Sequence, residues 1–337
     1  MQRNLVDRFL RWVVAAIAAG ALLYVGGSMW AGVDQVGGAL ARFNWLYLVP
    51  MIALTLTNYA LRFLKWHYFL RLLQVDMPWG EDIWNFLAGL GMAISPGKAG
   101  ELLKPYVVRA RTGAPMATTI PALVSERLTD GIAMLAIAGF SVTTHAADKV
   151  HYLTIPAAII AAGMVVVSSK RLSMGIIDLL GKLPIIARFA PKLREMIVAT
   201  RVCLAPVPFL VSLALSMVAW SAECLAFWLC FEGMGVETDL QLATFIYAFA
   251  TVAGAAMPGG LGVSDGAMAA GATTLMGVPE GIAVGASILA RGVTLWLGVF
   301  IGAVCLFKVS SMLGGSIRLD DDPAPPDGAD TPDEAAS

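Results

Sequence analysis

A proline–glycine break at Pro96 and Gly97 lies between two apolar segments that are each too short to cross a bilayer. Residues 82–95 would make about 21 Å of helix at ~1.5 Å per residue, whereas a hydrocarbon core is about 30 Å thick. Residues 98–111 are equally short and contain four Lys and Arg residues. Proline lacks the backbone N–H that a helix needs, and glycine adopts many backbone conformations besides the helical one. The first helix should therefore end here. The pattern predicts a re-entrant hairpin, whose broken backbone must lie inside protein or beside a water-filled cavity.

The composition places this hairpin in a membrane protein. Of the 337 residues, 58% are hydrophobic and 14% are charged, and the mean hydropathy is +0.74. These values exclude an ordinary soluble domain. Residues 320–337 hold seven of the 24 acidic residues and none of the Lys and Arg residues. We therefore expect a disordered, acidic cytoplasmic tail over 313–337, after a single transmembrane domain over 1–312.

The same break recurs in the second half of the chain, at Pro258 and Gly259. The flanking runs 241–256 and 263–276 are again too short to span a bilayer. Three features follow both breaks in one order, at a common offset of 164 residues: an acid (Glu101 and Asp265), a Gly-x-Pro (Gly113 to Pro115 and Gly277 to Pro279) and an arginine (Arg127 and Arg291). The sequence therefore predicts two copies of one unit, at about 45–140 and 208–308. Paired broken helices in two halves are typical of transporters.

Six transmembrane helices complete the predicted architecture, at about 12–30, 45–70, 116–140, 152–168, 208–231 and 280–307. Residues 169–206 alternate Lys and Arg with Ile, Leu and Met, which predicts amphipathic helices on the cytoplasmic membrane surface. The expected fold class is an all-α polytopic membrane protein, with about six transmembrane helices and two re-entrant helical hairpins arranged as an inverted repeat.

The distribution of Lys and Arg predicts the orientation. With the N-terminus inside, the inner segments hold 17 of these residues and the outer segments only Arg42 and Lys149. Both termini are then cytoplasmic, in a cytoplasmic (inner) membrane, and the two hairpin tips enter from opposite faces and meet near the midplane. Arg62 and Lys65 fall toward the end of the second span, where we expect long side chains to reach the interface.

Two arginines lie within apolar spans, Arg127 and Arg291. A cation at the bilayer centre costs ~2.5–3.5 kcal/mol on insertion scales, so each should face the protein interior and be paired. Asp130 follows Arg127 by three residues and can pair with it. Arg291 has no acid within four residues, so Asp265 or Glu223 is its candidate partner. Each arginine either holds an anionic headgroup such as a phosphate or serves as a structural brace.

Lys98, Glu101 and Lys104 follow the first break on one helix face. They suit either a phosphate headgroup at a helix N-terminus or a solvated helix start. Ser264 and Asp265 can equally be an N-cap for 266–276. The candidate headgroup site comprises Lys98, Glu101, Lys104, Arg127, Asp130, Asp265 and Arg291, around hairpin tips formed by Pro96, Gly97, Gly100, Pro258, Gly259, Gly260 and Gly262.

The motifs at these positions are Ser-Pro-Gly-Lys-Ala-Gly-Glu-Leu-Leu-Lys-Pro-Tyr at 95–106, Ser-Glu-Arg-Leu-Thr-Asp at 125–130 and Pro-Gly-Gly-Leu-Gly at 258–262. Together with Arg291, they resemble the lysylphosphatidylglycerol synthase transmembrane-domain family, also called flippase-like domain proteins, up to about residue 312. In full-length synthases such a domain moves the lipid made by a soluble aminoacyl-transferase domain. The resemblance implies a stand-alone flippase-like protein without that soluble domain.

The sequence has no phosphate-binding Gly-x4-Gly-Lys loop, no His-Glu-x-x-His and no dinucleotide glycine pattern. We therefore expect no enzyme activity, no cofactor and no metal. The first hypothesis is a transporter that moves a phospholipid or other lipid headgroup between leaflets without its own ATPase. The alternative is a non-catalytic membrane scaffold or accessory subunit of a lipid-synthesising or lipid-modifying enzyme, and the third is a transporter of small solutes or ions.

The expected partners are membrane phospholipids, with anionic lipid attracted to the basic residues at the cytoplasmic face. A lipid-synthesising enzyme and a homo-oligomer stay open as further partners, and nucleic acid is not expected.

Overall fold

The computed structural model describes residues 32–95, 100–145, 153–180 and 190–313, with a few single positions between 20 and 29. Within these ranges the secondary structure is helical, without strands. Most of the predicted span 12–30, the first tip at 96–99 and the predicted acidic tail beyond Leu313 lie outside the described residues.

The helices are numbered here in chain order over the described residues. They are α1 Val33–Arg42, α2 Leu48–Leu72, α3 Trp79–Gly91, α4 Leu103–Thr112, α5 Met116–His145, α6 Thr154–Ser168, α7 Lys170–Leu180, α8 Ala190–Cys203, α9 Pro206–Gly233, α10 Leu240–Ala253, α11 Val263–Met276, α12 Glu280–Arg291 and α13 Leu297–Met312.

Three stretches of the described chain are long and apolar enough to cross a membrane: Trp45–Leu72, Pro206–Gly233 and Glu280–Met312. The last stretch joins α12 and α13 through the π-helical turn Gly292–Trp296. Helix α5 is 30 residues long and includes the charged run that begins at Glu126. The all-helical fold with several apolar spans agrees with the prediction. The count of six spans, the re-entrant course of the hairpins and the inverted repeat stay predictions.

Each predicted hairpin is a pair of packed short helices with a break between them. Helix α3 ends in a 3-10 turn, Met92–Ile94, and packs on α4, which is 10 residues long. Helix α10 ends in a 3-10 turn, Gly254–Ala256, and packs on α11, and both are 14 residues long. None of these helices reaches the ~20 residues that a transmembrane helix needs. The turn Met92–Ile94 contacts the second break at Pro258–Gly260, so the two breaks face each other.

The second break depends on glycine. Gly259, Gly260 and Gly262 have φ angles of 59°, 72° and 80°, in the left-handed region that other residues rarely adopt. This backbone turns the chain from α10 into α11 within a few residues.

Each hairpin packs mainly on helices from the other half of the chain. Helix α3 lies along α13, so closely that a Cβ on Gly302 would come 2.2 Å from the Gly91 backbone nitrogen. Helix α10 lies along α5, and the long helices α2 and α9 pack against each other, with Asn58 Nδ2 donating to the Ala219 carbonyl at 2.9 Å. The two breaks are therefore fixed between the halves.

Two features go beyond the predicted elements. Helix α1 was not predicted, and it packs on α12, where a Cβ on Gly281 would meet Gln35 at 2.6 Å. The amphipathic segment 169–206 contains α7 and α8, and α8 packs on α5 and buries Ala199 and Cys203. Part of this segment is thus in the protein core.

Candidate functional site

A cavity of about 140 Å³ lies where the two breaks face each other. One water-sized probe occupies ~10–15 Å³, so the cavity has room for several waters or a compact polar group. Its charged and phenolic lining comes from both halves of the chain: Tyr59, Arg62, Glu101, Lys104, Arg127, Glu223, Tyr247 and Arg291. Four of the predicted headgroup residues are in this list, namely Glu101, Lys104, Arg127 and Arg291.

The first half contributes an ion pair between Arg127 on α5 and Glu101, which precedes α4. Arg127 Nε donates to Glu101 Oε2 at 3.0 Å. The predicted pairing of Arg127 with Asp130 is much weaker, because the closest atoms, Nη1 and Oδ2, are 3.9 Å apart. The Arg127 side chain is 35% exposed, and among the described residues only its Nε donates a hydrogen bond. Its Nη groups are therefore available to a ligand in the cavity.

The second half contributes the equivalent pair between Arg291 on α12 and Asp265 on α11. Arg291 Nε donates to Asp265 Oδ1 at 3.1 Å, and Nη2 donates to the Gly259 carbonyl in the break. Asp265 was one of the two predicted partners. The hypothesis that Arg291 is a structural brace, which was the alternative to ligand binding, predicted this contact. The Arg291 side chain is only 10% exposed. Arg291 thus ties its span to both the break and the helix that follows it.

Asp265 also fixes the start of α11. Its Oδ2 accepts a hydrogen bond of 2.8 Å from the backbone N–H of Gly262, which occupies the N-cap position. Asp265 is the third residue of the helix, so the predicted N-cap at Ser264 or Asp265 was placed too late. A carboxylate that reaches back to the N-cap backbone is half of a capping box.

A network of buried charges adjoins the cavity in the first half. Lys104 Nζ contacts Glu126 Oε2 at 2.6 Å, and Arg62 Nη2 contacts the other oxygen of Glu126 at 3.3 Å. Lys65 Nζ contacts Asp130 Oδ1 at 2.5 Å. All five side chains are buried. Each charge therefore depends on its partners, since a buried charge without one is costly.

The network corrects the prediction that Arg62 and Lys65 extend to the membrane interface. Helix α2 packs between α5 and α9, so both side chains face protein. Lys65 is fully buried and also donates to Ser216 Oγ on α9 at 2.7 Å. Asp130 was predicted to pair with Arg127, but its shortest contact is with Lys65.

Lys104 is not at a solvated helix start either. Its ammonium lies 4.3 Å from the centre of the Trp66 ring and is paired with Glu126. Gly89 makes room for it, because a Cβ at that position would come 2.7 Å from Lys104 Cγ. Lys104 lines the cavity, but its charge is already neutralised.

The first tip is described only at its edges. Lys98, Pro96 and Gly97 lie outside the described residues. Ser95 Oγ donates to the Met92 carbonyl at 2.7 Å and accepts from the Gly100 backbone N–H at 2.8 Å, so one hydroxyl joins the two sides of the break.

Sequence analysis overlooked several lining residues, of which Glu223 is the most informative. It was named only as a candidate partner of Arg291, yet it accepts a 2.7 Å hydrogen bond from the Tyr247 hydroxyl and is buried. Its signal in the sequence is an acid in the 28-residue apolar stretch Pro206–Gly233, which contains no Lys or Arg. In the described part of the chain, no cluster of three or more His, Cys, Asp or Glu residues is arranged to hold a metal ion.

The arrangement suits the binding of a small anion. The planar guanidinium group of arginine matches the oxygens of a phosphate or carboxylate. Arg127 and Arg291 bring two such groups to this cavity from equivalent positions in the two halves. Each of these arginines is paired with an acid, which balances its charge.

The sequence comparisons agree with the helical membrane architecture. Residues 12–302 match the family described as the lysylphosphatidylglycerol synthase TM region. A curated relative, a UPF0104 membrane protein from Methanothermobacter thermautotrophicus, is 23% identical over 302 residues, which is 82% of this chain and 87% of the relative. The resemblance that the motifs indicated is thus confirmed, and this multi-pass membrane protein belongs to the lysylphosphatidylglycerol synthase TM region family.

Proposed function

We propose that this protein is a transporter that moves the headgroup of a phospholipid, or of another lipid with an anionic group, between the leaflets of the cytoplasmic membrane. The observation that carries the proposal is the shared cavity, into which each half of the chain brings an arginine beside its own helix break. Many secondary transporters build their binding sites from broken helices around a polar cavity. The cytoplasmic orientation of the termini and the absence of catalysis are parts of the same proposal.

Headgroup binding starts at Arg127, whose side chain is more than three times as exposed as that of Arg291. Its Nη groups donate to the phosphate oxygens, while Nε stays on Glu101. The phosphate then engages Arg291 across the cavity through guanidinium N–H groups other than the two that donate to Asp265 and to the Gly259 carbonyl. The acyl chains remain in the surrounding lipid, because the described cavity is far too small for them.

The test is lipid translocation in proteoliposomes. Fluorescent phosphatidylglycerol and phosphatidylcholine are followed with a quencher added outside, for wild type, Arg127→Gln, Arg291→Gln and Glu101→Gln. Arg42→Gln is the matched control, since Arg42 is an exposed arginine at the end of α1. We expect wild type and the control to translocate lipid, and the folded cavity variants to lose most of that activity. A wild-type protein that is correctly inserted and moves neither lipid would overturn the proposal.

A scaffold for a lipid-synthesising enzyme is the second candidate function. It is favoured by one observation, that Arg127 and Arg291 are already paired with acids. On this account the pairs are braces, and all three variants should lower the melting temperature without a separate effect on transport. Co-purification of an enzyme with the wild-type protein, together with inactive proteoliposomes, would support the scaffold.

A further inference from the structure

We propose that Glu223 is a proton-binding site, and that proton movement through it drives the lipid transport proposed above. The inference rests on that proposed function and names its coupling ion. It starts from the position of Glu223 in the middle of α9, where the side chain lines the cavity and is 4% exposed. Acids at such positions in membrane proteins mark substrate and ion pathways, which include proton relays.

Glu223 differs from the other acids of the site in its partners. Glu101, Glu126, Asp130 and Asp265 each have a Lys or Arg nitrogen within 4.0 Å. Among the described residues, the hydrogen-bond partner of the Glu223 carboxyl is the neutral phenol of Tyr247, at 2.7 Å. A phenol can donate to a carboxylate or accept from a carboxylic acid, so it serves both protonation states.

The charged and titratable groups that face Glu223 come from four packed helices. They are Tyr59 and Arg62 on α2, Asp130 on α5, Tyr247 on α10 and Arg291 on α12. Lys65 contacts α9 two turns away, at Ser216.

The two arginines in this set are already committed to other acids. Arg62 contacts Glu126 at 3.3 Å and Asp130 at 3.8 Å, and Arg291 contacts Asp265 at 3.1 Å and the Gly259 carbonyl. A buried carboxylate without its own cation is poorly stabilised, so the surroundings of Glu223 suit the uptake of a proton. Any change that frees one arginine favours the carboxylate instead.

A bound headgroup links this equilibrium to transport. The negative charge of a phosphate in the cavity disfavours a second negative charge on Glu223, so the lipid and the proton bind together. By linkage, the proton then strengthens lipid binding by the same factor. The step itself is simple: one carboxylate oxygen of Glu223 takes up a proton on one side of the membrane and releases it on the other, and no other bond forms or breaks. Lipid and proton should therefore move in the same direction.

The experiment uses the full chain in vesicles of phosphatidylcholine and phosphatidylglycerol, with fluorescent phosphatidylglycerol as the probe. Translocation is measured with and without a pH difference of about one unit, which can shift the leaflet distribution by up to about tenfold for one proton per lipid. Glu223→Gln keeps the shape and the acceptor for Tyr247 but cannot ionise. Glu237→Gln is the control, because Glu237 is exposed in the loop after α9.

We expect the pH difference to drive lipid accumulation in wild type and in Glu237→Gln, and to have no effect in folded Glu223→Gln. Infrared difference spectra should show a carboxylic-acid carbonyl band in wild type that Glu223→Gln lacks. Tyr247→Phe keeps the carboxyl, and it should shift the pH at which this band disappears without abolishing proton-driven transport.

Two results would overturn the inference. Lipid translocation that ignores the pH difference, with no carboxylic-acid band lost in Glu223→Gln, would refute proton coupling and leave the proposed transport function standing. A wild-type protein that moves no lipid at all would refute the transport function and the inference together, and the two cases are told apart by the wild-type rate.

Discussion

The two halves of the chain build the same ion pair in different surroundings. Arg127–Glu101 and Arg291–Asp265 both join residues that are 26 positions apart, and both pairs lie beside a helix break. In the first half the pair adjoins a network of buried charges. In the second half, positions 164 residues after Lys104, Glu126 and Asp130 hold Met268, Ala290 and Thr294, and the first two are buried in the apolar core.

The comparison distinguishes contacts that both halves make at the site from contacts that only the first half makes. The arginine–acid pair occurs in both halves and reaches the cavity from both. In the part of the chain that the structure describes, the charged network occurs in one half, and apolar Met268 and Ala290 stand at two of its equivalent positions in the other. Buried ion pairs often contribute no more stability than a well-packed apolar group of similar size. On the proposed function, ligand binding falls to the two pairs, and the network positions α2, α4 and α5.

The largest expected effect is on the network. Glu126→Ala removes the partner of Lys104 and of Arg62, and leaving those charges buried should cost ~3–5 kcal/mol of stability. The double variant Lys104→Met with Glu126→Ala imports the residue types of the second half and should recover much of that loss. Melting temperatures in detergent measure both. A double variant as unstable as Glu126→Ala would contradict the view that apolar residues can replace the network as they do in the second half.

The second effect contrasts the two arginines. Arg291→Gln leaves Asp265 and the Gly259 carbonyl without their donor in a buried site, which should cost ~2–4 kcal/mol. Arg127 is more exposed and donates one hydrogen bond where Arg291 donates two, and the amide of a glutamine can still donate to the buried Glu101. Arg127→Gln should therefore cost only ~1 kcal/mol after allowance for solvent screening. Thermal unfolding of both variants is the measurement, and equal destabilisation would contradict the view of Arg127 as the open member of the pair.

A smaller effect is expected at the second break. Gly260 has a φ of 72°, and a Cβ there would come 2.5 Å from Ser264 Oγ, so Gly260→Ala should cost ~1–3 kcal/mol. Gly37→Ala is the control, because Gly37 lies in α1 with open space around its Cβ position. That substitution should stabilise the helix by ~0.5–1 kcal/mol. If Gly260→Ala melts at the wild-type temperature, the break is less constrained than its geometry indicates.

The smallest effect concerns the base of the first hairpin. Arg111 donates two hydrogen bonds to Glu81, at 2.7 and 2.5 Å, and these hold the pKa of the Glu81 carboxyl below its ordinary value. A lowered pKa gives a stability contribution that is present above the ordinary pKa and is lost as the pH falls through the folded-state pKa. Glu81→Gln should therefore lower the melting temperature slightly at neutral pH and not at all in strong acid. The same decrease at both pH values would exclude this ion pair as its cause.

The sequence predicted the shared parts of the two halves because their signals are local. A proline–glycine pair ends a helix wherever it occurs, and the 164-residue offset placed the acids and arginines in equivalent positions. The Arg291–Asp265 contact was foreseen only as the alternative to a ligand-binding role of Arg291.

The network could not be predicted, because its contacts join residues that are far apart in sequence. Lys65 and Asp130 are 65 positions apart, and their contact exists only because α2 packs on α5. Seen alone, Arg62 and Lys65 near the end of an apolar span are typical of side chains that reach the interface. The same holds for Lys104, whose burial depends on Gly89 and Trp66 in neighbouring helices.

The central claim is that the cavity between the two breaks binds the transported headgroup through Arg127 and Arg291. The most direct test is the initial rate of phosphatidylglycerol translocation by Arg127→Gln, compared with wild type and Arg42→Gln in the same vesicles. We predict a folded Arg127→Gln protein that retains its melting temperature within a few degrees and loses at least about tenfold in rate, as expected when one charged hydrogen-bonding group of ~1.5–3 kcal/mol is removed from a ligand site. A folded variant that translocates lipid at the wild-type rate would contradict the claim.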